Sequence, residues 1–290
     1  MGCGPGATEL ANIPEIAEAQ AEGRVATIYA DIRETLGVPF VNLIYRHLAT
    51  APAVLDCVWD ALRPHYVSGA LAGQAAQLRR EVEAMVQDWP VAQMGSSPGG
   101  ARTAAAGLVG MYNGANSLNL VALQHLLGPR ASRQAPQQGA HEPAPVTARS
   151  AADMGGQPSI PRLPEFWELH QREVDRIHRL NAYGEPGAPA MVASLYRHLA
   201  AWPGVLQEVE LVLVPLDEQG LLGRARADTY SAAQRCAQAR PLAMRPLVDA
   251  FHDQYETRLR RFAEVTISKM IPIGTVLSRA FGPQRDHPGG

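Results

Sequence analysis

The 290-residue sequence predicts an all-α fold built from two tandem copies of one helical unit. The first observation behind this is an internal repeat. Tyr45-Arg46-His47-Leu48-Ala49-Thr50-Ala51-Pro52-Ala53-Val54-Leu55 returns as Tyr196-Arg197-His198-Leu199-Ala200-Ala201-Trp202-Pro203-Gly204-Val205-Leu206. At the same offset Val58, Leu62 and Pro64 recur as Val209, Leu213 and Pro215. Upstream, Pro14-Glu15 matches Pro164-Glu165, and Gly37 and Pro39 match Gly187 and Pro189. The second observation is apolar spacing at the helical period. Val192, Leu195, Tyr196 and Leu199 make one stripe of an amphipathic helix. The third is that no alternating strand pattern of useful length runs through the chain.

Taken in order, residues 1 to about 12 are rich in Gly and Ala and read as a frayed end. From Pro14 the spacing of Ile16, Ala19, Val25, Ile28 and Ile32 predicts a helix that ends near Gly37. Pro39 is expected to open the first repeated helix. Pro52 and Pro203 suit the first turn of the following helix, where the missing N–H has no partner to lose. Val54, Leu55, Val58 and Leu62 form its buried side. A more solvated helix is expected over 70–88, closed by Pro90, and Ser96 to Gly100 reads as a loop. An Ala-rich helix comes next over about 104–127. The domain map is then 1–128 for the first unit, 129–162 for a linker and 163–290 for the second. The linker assignment rests on a Pro/Gln/Ala-rich composition without periodicity, which offers little apolar surface to offset the cost of ordering. The tail from Phe281 is expected to be loose.

A net charge of -2 gives no electrostatic footprint for nucleic acid or for an anionic membrane. No apolar run approaches a transmembrane length, and the N-terminus lacks the hydrophobic region of a signal peptide. Cys3, Cys57 and Cys236 are too few and too scattered for a disulfide framework or a zinc site. These features predict a reduced, cytoplasmic protein with neither nucleic acid nor membrane as partner. No metal is expected: Asp175/His178 and His252/Glu256 have ligand-like spacing, but no carboxylate-rich helix completes a set. No phosphate-binding Gly-rich loop appears, and no cofactor is expected.

The helix over 104–127 is the most informative element for chemistry. It is apolar almost all round, which implies burial, yet Asn113, Asn116 and Asn119 interrupt it beside Tyr112. Asn costs about half a kcal/mol of helix propensity relative to Ala. An unpaired buried amide costs roughly 1–3 kcal/mol more. Such residues either satisfy a neighbouring helix or line a pocket, and Asn116, on a face with Leu120 and Leu123, is the strongest candidate. The duplicated Tyr-Arg-His triplets read as structural, because one active site has little use for the same triplet twice.

Several stretches resemble the group I 2-haloacid dehalogenases, a family also described as halocarboxylic acid dehalogenases or "dehydrogenases". They are Glu22-Gly23-Arg24 through Tyr29-Ala30-Asp31-Ile32-Arg33-Glu34-Thr35-Leu36, then Val38-Pro39-Phe40, and Tyr112-Asn113-Gly114-Ala115-Asn116. Leu199-Ala200-Ala201-Trp202-Pro203 is similar to the family's second-repeat motif. The resemblance implies an all-α pseudo-dimer with approximate two-fold symmetry and a site between its halves. It implies small 2-halo carboxylic acids of either configuration as substrates, with water, activated by an Asp, as the nucleophile. Carried over by position, Asn116 matches the family's functional Asn and Ser194 the Ser before the catalytic Asp. Phe40 and Leu43 match pocket positions, which Tyr112 and Asn113 adjoin. The Asp itself falls at Leu195, and residues 188–201 contain no acid. Glu185 is the nearest substitute base. The expectations are therefore a dehalogenase-like protein with a pocket for a small carboxylic acid, or a non-catalytic binding protein on the same scaffold, or a different small-acid hydrolase using Glu185. A homodimer is compatible with each.

Overall fold

The structure, a computed structural model, describes residues 13–95, 99–128, 160–185 and 191–282, and all its regular elements are helical. In chain order the helices are α1 (Gly23–Leu36), α2 (Leu43–Leu48), α3 (Pro52–Val67), α4 (Ala70–Val86) and α5 (Gly99–Leu126). They continue with α6 (Gln171–Ala182), α7 (Ser194–Leu199), α8 (Val205–Glu218), α9 (Leu221–Ala239), α10 (Asp249–Gln254), α11 (Glu256–Arg261) and α12 (Ser268–Ala280). A π-helical turn, Phe262–Ile267, joins α11 to α12. Short 3₁₀ turns at Glu18–Gln20 and Phe166–Glu168 precede α1 and α6.

Local chemistry moves several boundaries from their expected places. Residues 13–17 are not helical, because the Ile16 N–H bonds to the Arg46 carbonyl (3.0 Å) and the Tyr29 hydroxyl donates to the Ile16 carbonyl (2.9 Å). The first helix therefore begins at Gly23. Its end matches expectation: Gly37 takes the left-handed conformation at φ +64°, and the N–H groups of Gly37 and Val38 close back on Glu34 and Arg33. Helix α2 starts at Leu43 and not at Pro39, since the Asn42 carbonyl receives the first helical N–H bonds, from Tyr45 and Arg46. Pro52 does open α3, whereas Pro203 stands just before α8, which begins after Gly204 at φ +83°. Val192 lies just ahead of α7, outside the helical stripe that its spacing predicts. Gly99 and Gly100 belong to α5 rather than to a loop, and Phe281 is buried rather than loose. The linker expected at 129–162 lies outside the described residues except for 160–162.

Helices α5 and α12 form the centre, packed on one another and both on α4 and α9. Leu108, Val109, Leu120, Leu123 and Leu126 of α5 are fully buried, as are Ile271, Ile273, Val276 and Leu277 of α12. Each such side chain contributes about 1.5–3 kcal/mol on burial. The two axes approach closely at Gly274, where a Cβ would meet the Asn113 side chain at 3.0 Å. Asn113 donates there to the Thr275 hydroxyl at 3.1 Å. The short helices α2 and α7 flank this centre, and their first turns are brought near each other beside α5.

Candidate functional site

A cavity of about 30 Å³ lies where α2, α5, α7 and the start of α12 meet. That exceeds the ~10–15 Å³ one water needs, and the space suits water or a very small acid. Its walls are Asn42, Leu43 and Ile44 from the start of α2, and Ala193, Ser194 and Leu195 from the start of α7. Tyr112, Asn116 and Asn119 come from α5, and Phe262, Thr266, Ile267 and Met270 come from the π turn and α12. The turn positions of α5 explain its share: 112, 116 and 119 lie on one face of a helix.

The polar groups in this wall differ in what they already bond. The Asn119 carbonyl oxygen accepts from the Tyr45 hydroxyl (3.1 Å) and the Tyr66 hydroxyl (3.0 Å), and those two hydroxyls stand 2.9 Å apart. Burial pushes both phenols well above their usual range, so they remain donors. Asn119 is thus built into the core. Asn116 is half-buried, not fully buried as expected, and its side chain makes no hydrogen bond to a described residue. The Asn42 Oδ1 is buried without a partner among the described residues. Two carboxamides therefore border this small space with unused hydrogen-bonding capacity.

Behind this wall the duplicated triplets act structurally. His47 accepts from the Arg258 guanidinium at Nε2 (3.2 Å), so Nδ1 carries the proton donated to the Pro14 carbonyl (2.7 Å). His198 donates from Nε2 to the Pro161 carbonyl (2.6 Å), which leaves Nδ1 to accept from the Tyr112 hydroxyl (3.2 Å). Burial lowers the affinity of His198 for a second proton, so the ring is neutral at pH 7. Phe40 stacks on Tyr112 with centroids 4.2 Å apart, supporting the wall from outside it. Arg46 donates to Glu15 (2.7 Å), to the Val41 carbonyl and to the Ser194 hydroxyl (3.0 Å).

Leu43, Tyr112, Asn116, Ser194 and Leu195 are thus gathered at one cavity, whereas Phe40, Asn113 and Glu185 are not among its walls. Asn113 donates to Thr275 at the α5–α12 crossing, and its Oδ1 is buried without a partner among the described residues. The Glu185 carboxylate is buried and accepts from the Lys269 ammonium, which also donates to the Asn181 carbonyl. A carboxylate so held is a poor candidate base. Leu195 is 2 % exposed and contributes only apolar surface; no carboxylate lines the cavity among the described residues. Also among the described residues, no group of three His, Cys, Asp or Glu could hold a metal ion, and no helix is long and apolar enough to cross a membrane.

Sequence reasoning misses Asn42 and the contribution of the π turn. Asn119 is visible as a third polar interruption of α5. Asn42 reads as an ordinary residue before a short helix.

This helical architecture is shared with solved D-2-haloacid dehalogenases. A mutant of such an enzyme superposes with a TM-score of 0.76 at 16% identity, over 93% of this chain and 96% of that one. A complex of a D-2-haloacid dehalogenase mutant with D-2-CPA gives 0.70 at 17% identity, over 93% and 94%. In sequence, residues 39–151 match the model of the family described as halocarboxylic acid dehydrogenase DehI. The (R)-2-haloacid dehalogenase of Pseudomonas putida is 41% identical over 49 residues, 17% of this chain and 16% of that protein. The configuration-inverting 2-haloacid dehalogenase of Pseudomonas sp. (strain 113) is 33% identical over 72 residues, 25% and 23% of the two chains. The matched stretch spans less than a quarter of either relative.

Proposed function

We propose that the protein is a dehalogenase-like binder of short 2-halo carboxylic acids, and that it hydrolyses them slowly or not at all. The observation that carries this reading is the composition of the cavity wall. The carboxamides of Asn42 and Asn116 and the Ser194 hydroxyl offer polar contacts, while Leu195 occupies the position where the resemblance expects the Asp. Leu43 and Tyr112 would wall the acid, with Phe40 supporting Tyr112. A positioned base typically contributes 10²–10⁴-fold to such a hydrolysis, and leucine can neither accept a proton nor orient water. The matched relatives are named for 2-haloacids, three of them for the (R)- or D-configuration. The group I resemblance adds acids of the other configuration, so both enantiomers belong in the test.

We also propose that the chain is an internal duplication, with residues near 14–66 lying over 164–217 about an approximate two-fold axis. The recurring order of 3₁₀ turn, long helix, short helix and long helix supports it. The cavity would then sit at the junction of the halves, since α2 and α7 carry the repeated triplets.

Calorimetry with each enantiomer of 2-chloropropionate, alongside a halide-release assay, tests the functional reading. Saturable binding with halide release at the level of the enzyme-free control is expected. Absence of binding by either enantiomer would sink it. Rapid halide release would instead show that a base outside the described cavity wall serves the reaction.

A further inference from the structure

A cleft of about 570 Å³ lies where the last turns of α5 and α9 meet the chain segment 241–244 and α11. It shares no lining residue with the first cavity, and Gln124 in its wall stands ~12 Å further along α5 than Asn116. Its size falls within the ~300–1,000 Å³ of small-molecule sites.

The walls are braced by side chains from the first half of the chain. The Gln74 carboxamide, buried on α4, accepts from the His125 Nε2 at 2.9 Å and donates to the Arg240 carbonyl at 3.1 Å. The His65 Nε2 donates to the Ala243 carbonyl at 3.1 Å, so the segment 241–244 is held from both sides.

These bonds fix what the wall offers a ligand. Nε2 of His125 carries the ring proton, so Nδ1 keeps its lone pair and can only accept. Burial lowers the His125 pKa to about 4, which keeps the ring neutral at pH 7. One residue earlier, the Gln124 Nε2 is a buried donor without a partner among the described residues. The terminal torsion of a glutamine is soft, so this amide can turn to meet an acceptor in the cleft. Arg260 is the charged residue of the wall, and it already pairs with Glu256 at 3.0 Å and donates to the Leu127 carbonyl at 2.9 Å. No carboxylate lines the cleft among the described residues, and Leu127, Leu242 and Met244 give it apolar surface.

We propose that this cleft binds a small uncharged carboxamide with an aliphatic body. The amide carbonyl accepts from Gln124, the amide N–H donates to the His125 Nδ1, and the hydrocarbon lies against Leu127, Leu242 and Met244. A carboxylate of the same shape is a poorer fit. It has no hydrogen to give His125, and the cation nearest it is already engaged. The two pockets therefore select opposite partners: an acid in the first and a neutral amide in this one. The second does not depend on the first.

The test uses the full chain with ¹⁵N-labelled histidine, titrated with 4-methylpentanamide. A saturable movement of the His125 Nδ1 resonance is expected, unchanged by 2-chloropropionate. The N,N-dimethyl amide, which lacks the donor, and 4-methylpentanoate should each bind at least about tenfold more weakly. Gln124→Leu costs no hydrogen bond to a described residue and should weaken binding by about three- to tenfold. Gln238→Trp, filling the cleft from an exposed position, should abolish it. The ligand series on the wild-type chain needs no variant to fold. Three results would each overturn the proposal: no saturable shift, a carboxylate or dimethyl amide bound as tightly as the amide, or displacement of the amide by 2-chloropropionate. Amide binding without any binding of 2-chloropropionate would leave this site standing and remove only the acid-binding function.

Discussion

Asn116 and Asn119 sit one turn apart on the same face of α5, line the same cavity, and should answer truncation in opposite ways. The Asn119 carbonyl oxygen is the common acceptor for the Tyr45 and Tyr66 hydroxyls. In Asn119→Ala one hydroxyl can still donate to the other across 2.9 Å, but the second O–H is left buried without an acceptor. One such group costs about 1–3 kcal/mol. For a chain of this size a kcal/mol moves the melting temperature by about 2–4 °C, so a fall of roughly 2–12 °C is expected. The Asn116 side chain makes no hydrogen bond to a described residue and is only half-buried. Its replacement by Ala removes no protein contact of this kind and gains about half a kcal/mol of helix propensity, so stability should hold or rise slightly. Its cost should fall on the ligand. A hydrogen bond to a charged acid is worth about 1.5–3 kcal/mol, so affinity for 2-chloropropionate should drop by about 10- to 100-fold. Paired thermal melts and calorimetry on the two variants read both quantities. If Asn116→Ala melts as low as Asn119→Ala while binding the acid as wild type does, Asn116 is a structural residue and the reasoning fails.

The same geometry carries three further expected outcomes. Lys269→Met should cost about 3–5 kcal/mol in urea unfolding by leaving the Glu185 carboxylate buried without its cation, and adding Glu185→Leu should recover most of the loss; equal stability of the single and double variants would contradict this. Leu195→Asp should lower stability, because a carboxylate replaces a buried leucine, and should raise halide release above the wild-type level; a variant as stable as wild type would show that the position is wetter than its burial indicates. His125 gives a pH signature. Burial lowers its pKa from 6.5 to about 4, so as pH falls below 6.5 the unfolded chain takes up the proton first. Stability should therefore decline between pH 6.5 and 4, by up to about 3 kcal/mol, and His125→Gln should flatten that part of the profile.

The parts of this fold legible in the sequence are those written in short-range pattern. Tyr45-Arg46-His47-Leu48 and Tyr196-Arg197-His198-Leu199 locate α2 and α7 because a repeat preserves both the helix and its buried side. Asn116 stands out because an amide amid Leu and Ala needs a reason. The features that escape are set by partners far along the chain. Asn113 and Asn116 look equivalent in sequence, and only the crossing of α12 at Gly274 assigns one to packing and leaves the other at the cavity. Glu185 looks available as a base in the sequence, and only the fold brings Lys269, buried on α12, against it. Residues 13–17 carry apolar side chains at helical spacing, yet bonds to Arg46 and Tyr29 hold them out of the helix.

The π-helical turn Phe262–Ile267 holds one residue more than the same stretch of α-helix would, and it does so at the cavity wall, where Phe262, Thr266 and Ile267 all stand. A surplus residue of this kind can be deleted without rotating the helix beyond it. Removal of Glu264 would let the turn relax to α geometry while Lys269 keeps its pairing and Gly274 its crossing with α5. The chain therefore has a place where the outline of the chamber is governed by length rather than by side-chain identity. A descendant could acquire a new ligand there by losing a single codon, with the rest of the core undisturbed.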